Sequence, residues 1–567
     1  MADHIEEKVI MTPKCKTATS TTLVVERKAV EAEASDKIHV AGGDHTGIII
    51  NKEQVYENGV TEPCHAQLEF RVYLVSGATG SHTREARALR FWFKPQATPS
   101  ERPYEAQAFF RELVSPQDFP KDYVGFIKKI IKLMQHKYLQ LKILEIELRQ
   151  EGSGTPPPES NGVISIFIED NVANQTPVIS EQRVLDMIEN AYPNPLTVDD
   201  FITSGKWSKA EVKDALEALE EKGLTRAMSE GLYIRQHSVD TQVVKQMPTL
   251  CSSRQPSIAV ITALYCEKQA VDAMMDNQET FVRYTTVGES NVYTLGTIGA
   301  HRVVTTKLPS VGRTREAMTA AGNTTTRLLG IFQKVEYVFL VGVGGGVPHY
   351  TDFAQHVRLG DVVVSTPAPD LPDKSVYVFC EKAERNEKGG WDYEIKPYKP
   401  ASFLLQDIAI RLAQSQAPWD SYVDEGLQRL RGVPGRWDAP AGSTDRLCVD
   451  VGNGAFIEVS HPAPQGDQVD RGGLRVHCAP VAGGRAVSAA GEARAAFAAR
   501  ARARAYDCEL DAVLDSVVGN RKDCFVSVRG ISDYRDGTRG KDWQPHAALA
   551  AAAVMKAIVA AMDPPTD

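Results

Sequence analysis

Three carboxylates and a run of glycines stand, in order, near the ends of strand-like segments. The β-rich run Phe525-Val526-Ser527-Val528 ends in Arg529-Gly530-Ile531-Ser532-Asp533-Tyr534. Glu267 lies in Ala263-Leu264-Tyr265-Cys266-Glu267, and Glu509 in Tyr506-Asp507-Cys508-Glu509-Leu510-Asp511. Tyr337-Val338-Phe339-Leu340-Val341 runs into Gly342-Val343-Gly344-Gly345-Gly346. A carboxylate just past the C-terminal end of a buried strand is where open α/β sheets place their chemistry. Alone, Asp533 equally caps a turn, and Glu267 equally sits exposed in a first helical turn. Three such groups, each near a different strand end, favour a site. Gly344 and Gly345 let a backbone approach a ligand closely. They are not a dinucleotide fingerprint: G-x-G-x-x-G fits poorly, and no acidic residue is placed for a dinucleotide ribose. Arg313, in Pro309-Ser310-Val311-Gly312-Arg313, opens a helix and makes an anion site there. Arg485, in Ala482-Gly483-Gly484-Arg485, either reaches the same pocket or is surface charge. His349, alone in a loop, and Lys541, in a charged loop, stay outside the catalytic set.

The elements that must position these residues read as a C-terminal α/β domain over 257–563. Ser257 to Leu264, Val303 to Thr306, Tyr337 to Val341 and Gly360 to Val364 are near-continuous apolar strands. They alternate with helices at Glu267 to Met275 and from about Arg313 to Gln333. That alternation predicts a mixed, largely parallel sheet covered on both faces. Trp543-Gln544-Pro545 opens an alanine-rich helix expected to help close the site. The Gly-, Ala- and Arg-rich stretch 432–504 gives no clear pattern beyond a helix over Ala490 to Ala505.

Two smaller domains precede it. Residues 1 to 20 read as a loose tail. Over 21–150, short β-type runs alternate with turn signals such as Ala41-Gly42-Gly43-Asp44 and Ser76-Gly77-Ala78-Thr79-Gly80. A small β-sandwich or sheet is expected, with one helix at Tyr123 to Tyr138. Residues 151–178 form a linker by composition. Residues 179–237 carry helices at Glu181 to Asn190, Val198 to Ile202 and Ser208 to Lys222, then a hairpin around Ser229-Glu230-Gly231. Three helices and a hairpin resemble a winged helix. Its third helix carries Glu211, Asp214, Glu217, Glu220 and Glu221 against Lys209, Lys213 and Lys222. Such a face is repelled by phosphate, which disfavours DNA and favours a protein partner. A second linker spans 238–256.

The chain has 567 residues and a net charge of −9, so several domains are expected and a dedicated nucleic-acid binder is disfavoured. Its nine cysteines are scattered with no C-x-x-C pair, which suggests neither a metal site nor a disulfide framework. A reducing, cytoplasmic setting follows. The N-terminus lacks a secretory pattern. The apolar stretch Ala547 to Met562 is interrupted by Lys556, so a packed helix is expected rather than a membrane span.

Taken in order, the four strand-end segments resemble the nucleoside phosphorylase and nucleosidase superfamily, over about Ser257 to Met562. The signature Arg529-Gly530-Ile531-Ser532-Asp533-Tyr534 with Lys541-Asp542-Trp543-Gln544-Pro545 is similar to a eukaryotic branch that follows signalling or sensor domains. Related domains in immune effectors cleave adenine from ATP. The resemblance implies that Asp533 is the general acid that protonates N7 of a purine, from a carboxyl of raised pKa. It implies that Glu509 holds the ribose hydroxyls and Glu267 orients the attacking water. Cys508 replaces the family's methionine before that glutamate, which alters packing on the base side. No metal or organic cofactor is implied. Bacterial hexameric phosphorylases carry an arginine just before the glycine run, where Leu340 and Val341 stand here. Water is therefore favoured as acceptor. Arg313 and Arg485 would bind either an attacking phosphate or the 5′-phosphates of a nucleotide. The expected activity is hydrolysis of a purine, adenine first, from its nucleoside or nucleotide. The alternatives are phosphorolysis and a non-catalytic nucleotide sensor with a winged-helix interaction module. The family often buries its site at a dimer interface, so a homo-oligomer is expected by analogy.

Overall fold

The computed structural model describes residues 7–29, 38–40, 49–51, 62–75, 82–120, 123–153, 179–229, 231–237, 241–284, 290–309, 314–387, 389–415, 419–452, 456–465, 468, 470, 472–488, 491–507, 510–535, 537 and 540–565. The turn signals at 41–44 and 76–80 and most of the linker 151–178 lie outside them. The chain divides into two compact units.

The first unit comprises residues 1–171, 348–356 and 443–470. Its described strands form one nine-stranded sheet. Glu7–Lys16 pairs antiparallel with Ser20–Ala29, so this part of the expected loose tail is a strand. Val9 and Ile10 are buried there, which supplies the apolar contact that a free tail would lack. Ala66–Val75, His82–Phe93 and Leu141–Ser153 continue the sheet. Two helices, Arg102–Leu113 and Tyr123–His136, cover it, with Phe110 and Phe126 packed on Phe70 of the sheet at 5.3 and 6.3 Å between ring centres. The first of these helices was not expected, although its buried Ala106, Phe109, Phe110 and Leu113 have helical spacing. The hairpin Leu447–Asp450 and Phe456–Val459 joins the sheet at Ala66–Val75. That hairpin falls within the range expected to belong to the α/β domain.

The second unit holds both the three-helix segment and the α/β sheet. The helices are Glu181–Ala191, Val198–Gly205 and Lys209–Glu221, and the hairpin is Thr225–Ser229 with Leu232–Arg235. Ser208 caps the third helix by accepting from the Glu211 amide, while Glu211 reaches back to the Ser208 amide. Val184, Ile188, Phe201, Val212 and Leu216 make the small core.

The α/β sheet has thirteen described strands. At its centre, Ile258–Thr262 lies parallel between His301–Lys307 and Tyr337–Gly346. Cys524–Asp533 runs parallel on the far side of Tyr337–Gly346. The flanks are mixed: Asn291–Ile298 and Asp276–Arg283 pair antiparallel, and so do Cys524–Asp533 and Val362–Ser365. Thr241–Val243, within the expected second linker, adds an edge strand parallel to Asp276–Arg283. The glycine run continues the strand expected to end at Val341: Tyr337–Gly346 is one strand, buried from Val338 to Gly346. The helix Gln544–Ala560 is buried continuously from Ala547 to Val559. A helix apolar on every side belongs inside, and small alanines let its backbone lie close to Cys524–Asp533. At Gly530 an added Cβ would fall on the carbonyl oxygen of Ala547. Lys556 in this helix pairs with Glu425 at 2.7 Å.

Candidate active site

Glu267 belongs to the helix Tyr265–Asp272, which starts directly after the strand Ile258–Thr262. It is not an exposed first-turn residue, being only 2% exposed. Its Oε2 accepts from the amides of Ala263 and Leu264 at 2.7 and 2.8 Å, and its Oε1 from the Val343 amide at 2.8 Å. The first two close the strand-to-helix turn. The third ties the carboxylate to the neighbouring glycine-rich strand. A Cβ on Gly342 would fall on this carboxylate, so glycine there makes room for it. Burial pushes the Glu267 carboxyl up from its ordinary value, while the Arg529 charge and the three amides pull it back down.

Arg529 supplies a buried cation between the two central strands. Its guanidinium donates to Ser527 Oγ at 3.0 Å, to the Val343 carbonyl at 3.2 Å and to the Leu340 carbonyl at 3.3 Å. It also faces Asp507 at 3.5 Å, and both side chains are nearly fully buried. Neither residue was given a role from the sequence. The available signal was an arginine inside the otherwise uncharged strand Cys524–Ser532, where a charge persists only with partners.

Asp533 ends that strand and is buried. Its Oδ1 accepts from the amides of Arg535 and Gly537 at 2.8 and 3.0 Å. Asp533 thus does hold a turn, and it does so beside the glycine strand. The indole of Trp543 is buried nearby, stacked edge-on with His546.

Strand register brings these groups together. Gly345 pairs with Asp533 on one side and with Tyr506 on the other. The anchor of Glu267, Val343, lies two residues earlier, roughly 7 Å along the strand. The strand Ala505–Asp507 lies next to Val481–Gly483, where Gly483 pairs with Asp507. Arg485 begins the short helix Arg485–Ser488 two residues after Gly483. It acts on Asp511, whose carboxyl burial raises and the Arg485 charge lowers. Gly344 and Gly345 are buried within the strand between these groups. Glu509 and Arg313 lie outside the described residues. His349 belongs to the first unit, where its Nδ1 accepts from the Thr351 and Asp352 amides. Lys541 pairs with Asp186 of the three-helix segment.

Residues 169–237 match the winged helix-turn-helix domain family. This segment is a winged helix. A curated relative, a nucleotide-binding leucine-rich repeat (NLR)-like protein of Hyaloscypha variabilis, is 27% identical over 319 residues, 54% of this chain and 29% of its own length. The chain therefore spans less than a third of that relative. Solved structures that resemble about half of the chain are nucleosidases and a futalosine hydrolase. The Helicobacter pylori futalosine hydrolase is 14% identical, with a TM-score of 0.33 over 54% of this chain and 99% of its own. A Helicobacter pylori MTAN mutant with 5′-methylthioadenosine in its active site is 15% identical, with a TM-score of 0.32 over 54% and 98%. A Borrelia burgdorferi putative 5′-methylthioadenosine/S-adenosylhomocysteine nucleosidase bound to adenine is 14% identical, with a TM-score of 0.34 over 53% and 98%.

Proposed function

We propose that the α/β domain hydrolyses the N-glycosidic bond of a purine nucleoside or nucleotide and releases the free base, adenine first. The observation that carries this is the placement of Glu267 and Asp533 along one glycine strand, at Val343 and Gly345. Asp533 is the acid. Its carboxyl proton passes to N7 as the bond to the sugar breaks. The leaving base is then neutral. Glu267 orients water at the opposite end of the reaction. Three amide donors fix its carboxylate, and burial makes it a better base than an exposed glutamate. Glu509 takes the ribose hydroxyls, where a carboxylate also favours the positive charge that grows on the sugar. Gly344 and Gly345 let the strand backbone lie against the ligand. Arg485 and Arg313 would receive 5′-phosphates.

Water is favoured over phosphate on the charge inventory around the glycine strand. Leu340 and Val341 precede the glycines and are apolar and buried. Arg529, the cation beside them, is already committed to two carbonyls, a serine and Asp507. The deciding experiment is product analysis with ATP, adenosine, inosine and methylthioadenosine, with and without phosphate. Free base and free sugar without phosphate, abolished by Asp533→Asn, is the expected result. Strict dependence on phosphate with ribose-1-phosphate as product would make the enzyme a phosphorylase. Tight nucleotide binding with no base release, unchanged in Asp533→Asn and Glu267→Gln, would leave a sensor.

A further inference from the structure

The winged helix contacts the α/β domain through several buried side chains. Lys307, at the end of the strand His301–Lys307, is fully buried. Its ammonium donates to the carbonyls of Asn190 and Tyr192 at 2.8 and 2.9 Å, and to that of Leu308 at 2.9 Å. Two of these three acceptors lie at the C-terminal end of the first winged-helix helix, the negative end of its dipole. Asn194 bridges two α/β segments: its Oδ1 accepts from the Ser290 amide at 3.0 Å, and its Nδ2 donates to the Pro309 carbonyl at 3.2 Å. Tyr192 is buried against Val282 and Val292.

Besides the Lys541–Asp186 pair and a Tyr284–His237 hydrogen bond, two further contacts meet at Tyr265, the first residue of the helix that carries Glu267. The Tyr192 ring meets the Tyr265 ring edge-on at 5.2 Å. The Arg235 guanidinium, from the wing, lies over Tyr265 at 5.2 Å and is held by Glu189 at 2.9 Å. Tyr265 is therefore gripped from the first helix and from the wing of the same small domain. Glu267 is two residues further on. Meanwhile the third helix, the one that would enter a DNA groove, keeps Lys209, Glu211, Lys213, Asp214, Glu217 and Glu221 exposed.

We propose that the winged helix is a positioning clamp for Glu267, acting through Tyr265, and that Lys307 and Asn194 are the ties that hold the clamp in place. This rests on the nucleosidase reading above for its catalytic consequence, but the mechanical coupling stands apart from it. A ligand or protein that pulls the winged helix from these ties would lower turnover by loosening the start of one helix, with the substrate groove untouched. Tyr192, Tyr265 and Arg235 are positioning residues, since none is argued to touch the substrate.

The test uses the full chain. Wild-type base release is measured first, and its absence would count against the enzyme reading alone. Asn194→Ala and Lys307→Met loosen the ties from a distance, Tyr265→Leu removes the gripped ring, and Tyr265→Phe retains it. Expected are a fall in kcat of about tenfold for Asn194→Ala and Tyr265→Leu, a nearly unchanged KM, and wild-type kinetics for Tyr265→Phe. The double variant Asn194→Ala/Tyr265→Leu should fall little further than either alone, because both act along one route. Hydrogen exchange supplies a readout independent of activity: amides of the 265–272 helix should exchange faster in Asn194→Ala and in Lys307→Met. Unchanged exchange in that helix, while amides at 290–309 exchange faster, would overturn the clamp. So would additive losses of kcat in the double variant.

Discussion

Glu267 and Gly342 illustrate how one residue's identity is set by another far off in sequence. A carboxylate buried to 2% exposure needs donors, and it has three backbone amides. It also needs space, which a side chain at position 342 would take. Gly342→Ala should therefore displace the carboxylate from the Val343 amide. Overpacking of this kind costs about 1–3 kcal/mol. Glu267→Ala should be costly by itself, since it strips three amides of their acceptor. The informative quantity is the coupling: in the double variant the penalty of Gly342→Ala should nearly vanish. Urea unfolding of the four proteins measures it, and an undiminished Gly342→Ala penalty would show that the two positions do not compete for space. Asp533 and Glu267 stand out in the sequence as candidates because carboxylates after apolar runs are conspicuous. The Arg529–Asp507 pair was quoted within the same motifs yet given no role. Its meaning lies in the pairing of two strands, and no local pattern encodes which strands become neighbours.

Among the elements, Val362–Ser365 and Val476–Ala479 pair in parallel and share a buried polar link across their edges. His477 donates from Nε2 to Asp361 at 2.9 Å, and its Nδ1 accepts from Arg504 at 3.3 Å. Burial holds this imidazole below its ordinary value of 6.5, although Asp361 pulls the other way. In the unfolded chain the same histidine takes up its proton near pH 6.5. The stability contributed by neutral His477 is therefore full above pH 6.5. It is lost as the pH falls from there towards the depressed folded value, because only the unfolded state binds the proton in that window. Chemical unfolding at pH 7.5 and 5.5 should show wild type losing more stability than His477→Gln, which does not titrate. Equal losses would mean that His477 is not the group responsible. Sequence patterns anticipate Val362–Ser365 but not Val476–Ala479, which lies in the stretch 432–504 that gives no clear pattern. They end the strand from Tyr337 at Val341, before the glycine run, because glycine is a weak strand former. Tertiary packing overrides that preference here: at Gly342, Gly344 and Gly346, Glu267, the Tyr506 carbonyl and Ile531 crowd the places that side chains would need.

At the scale of the whole molecule, chain order and spatial order part company. The sheet of the first unit is built mostly from residues before 154, but two strands come from Leu447–Val459, and the segment 348–356 belongs to the same unit. Inserted segments of this kind escape sequence reading. Leu447–Asp450 and Phe456–Val459 are four-residue strands inside a Gly-, Ala- and Arg-rich stretch. Nothing in their periodicity names a partner hundreds of residues earlier. Yet they bury Leu447, Ile457 and Val459, and they cover the edge of Ala66–Val75 through the pairs Ile457 with Val72 and Val459 with Phe70. The segment at 348–356 contributes Tyr350, whose amide donates to Gln107 at 2.7 Å and whose ring packs on Phe110 at 5.3 Å. A fragment ending at residue 153 keeps its two helices but loses both insertions. Its strand Ala66–Val75 would then present unpaired backbone groups beside exposed apolar side chains, a template for edge-to-edge association. Residues 1–153 produced alone should therefore self-associate. A chain that fuses 1–153 to 443–470 through a flexible linker should recover a larger monomeric fraction. Size-exclusion chromatography with light scattering separates the outcomes. A monodisperse 1–153 fragment that unfolds cooperatively would show that the unit is complete without its insertions.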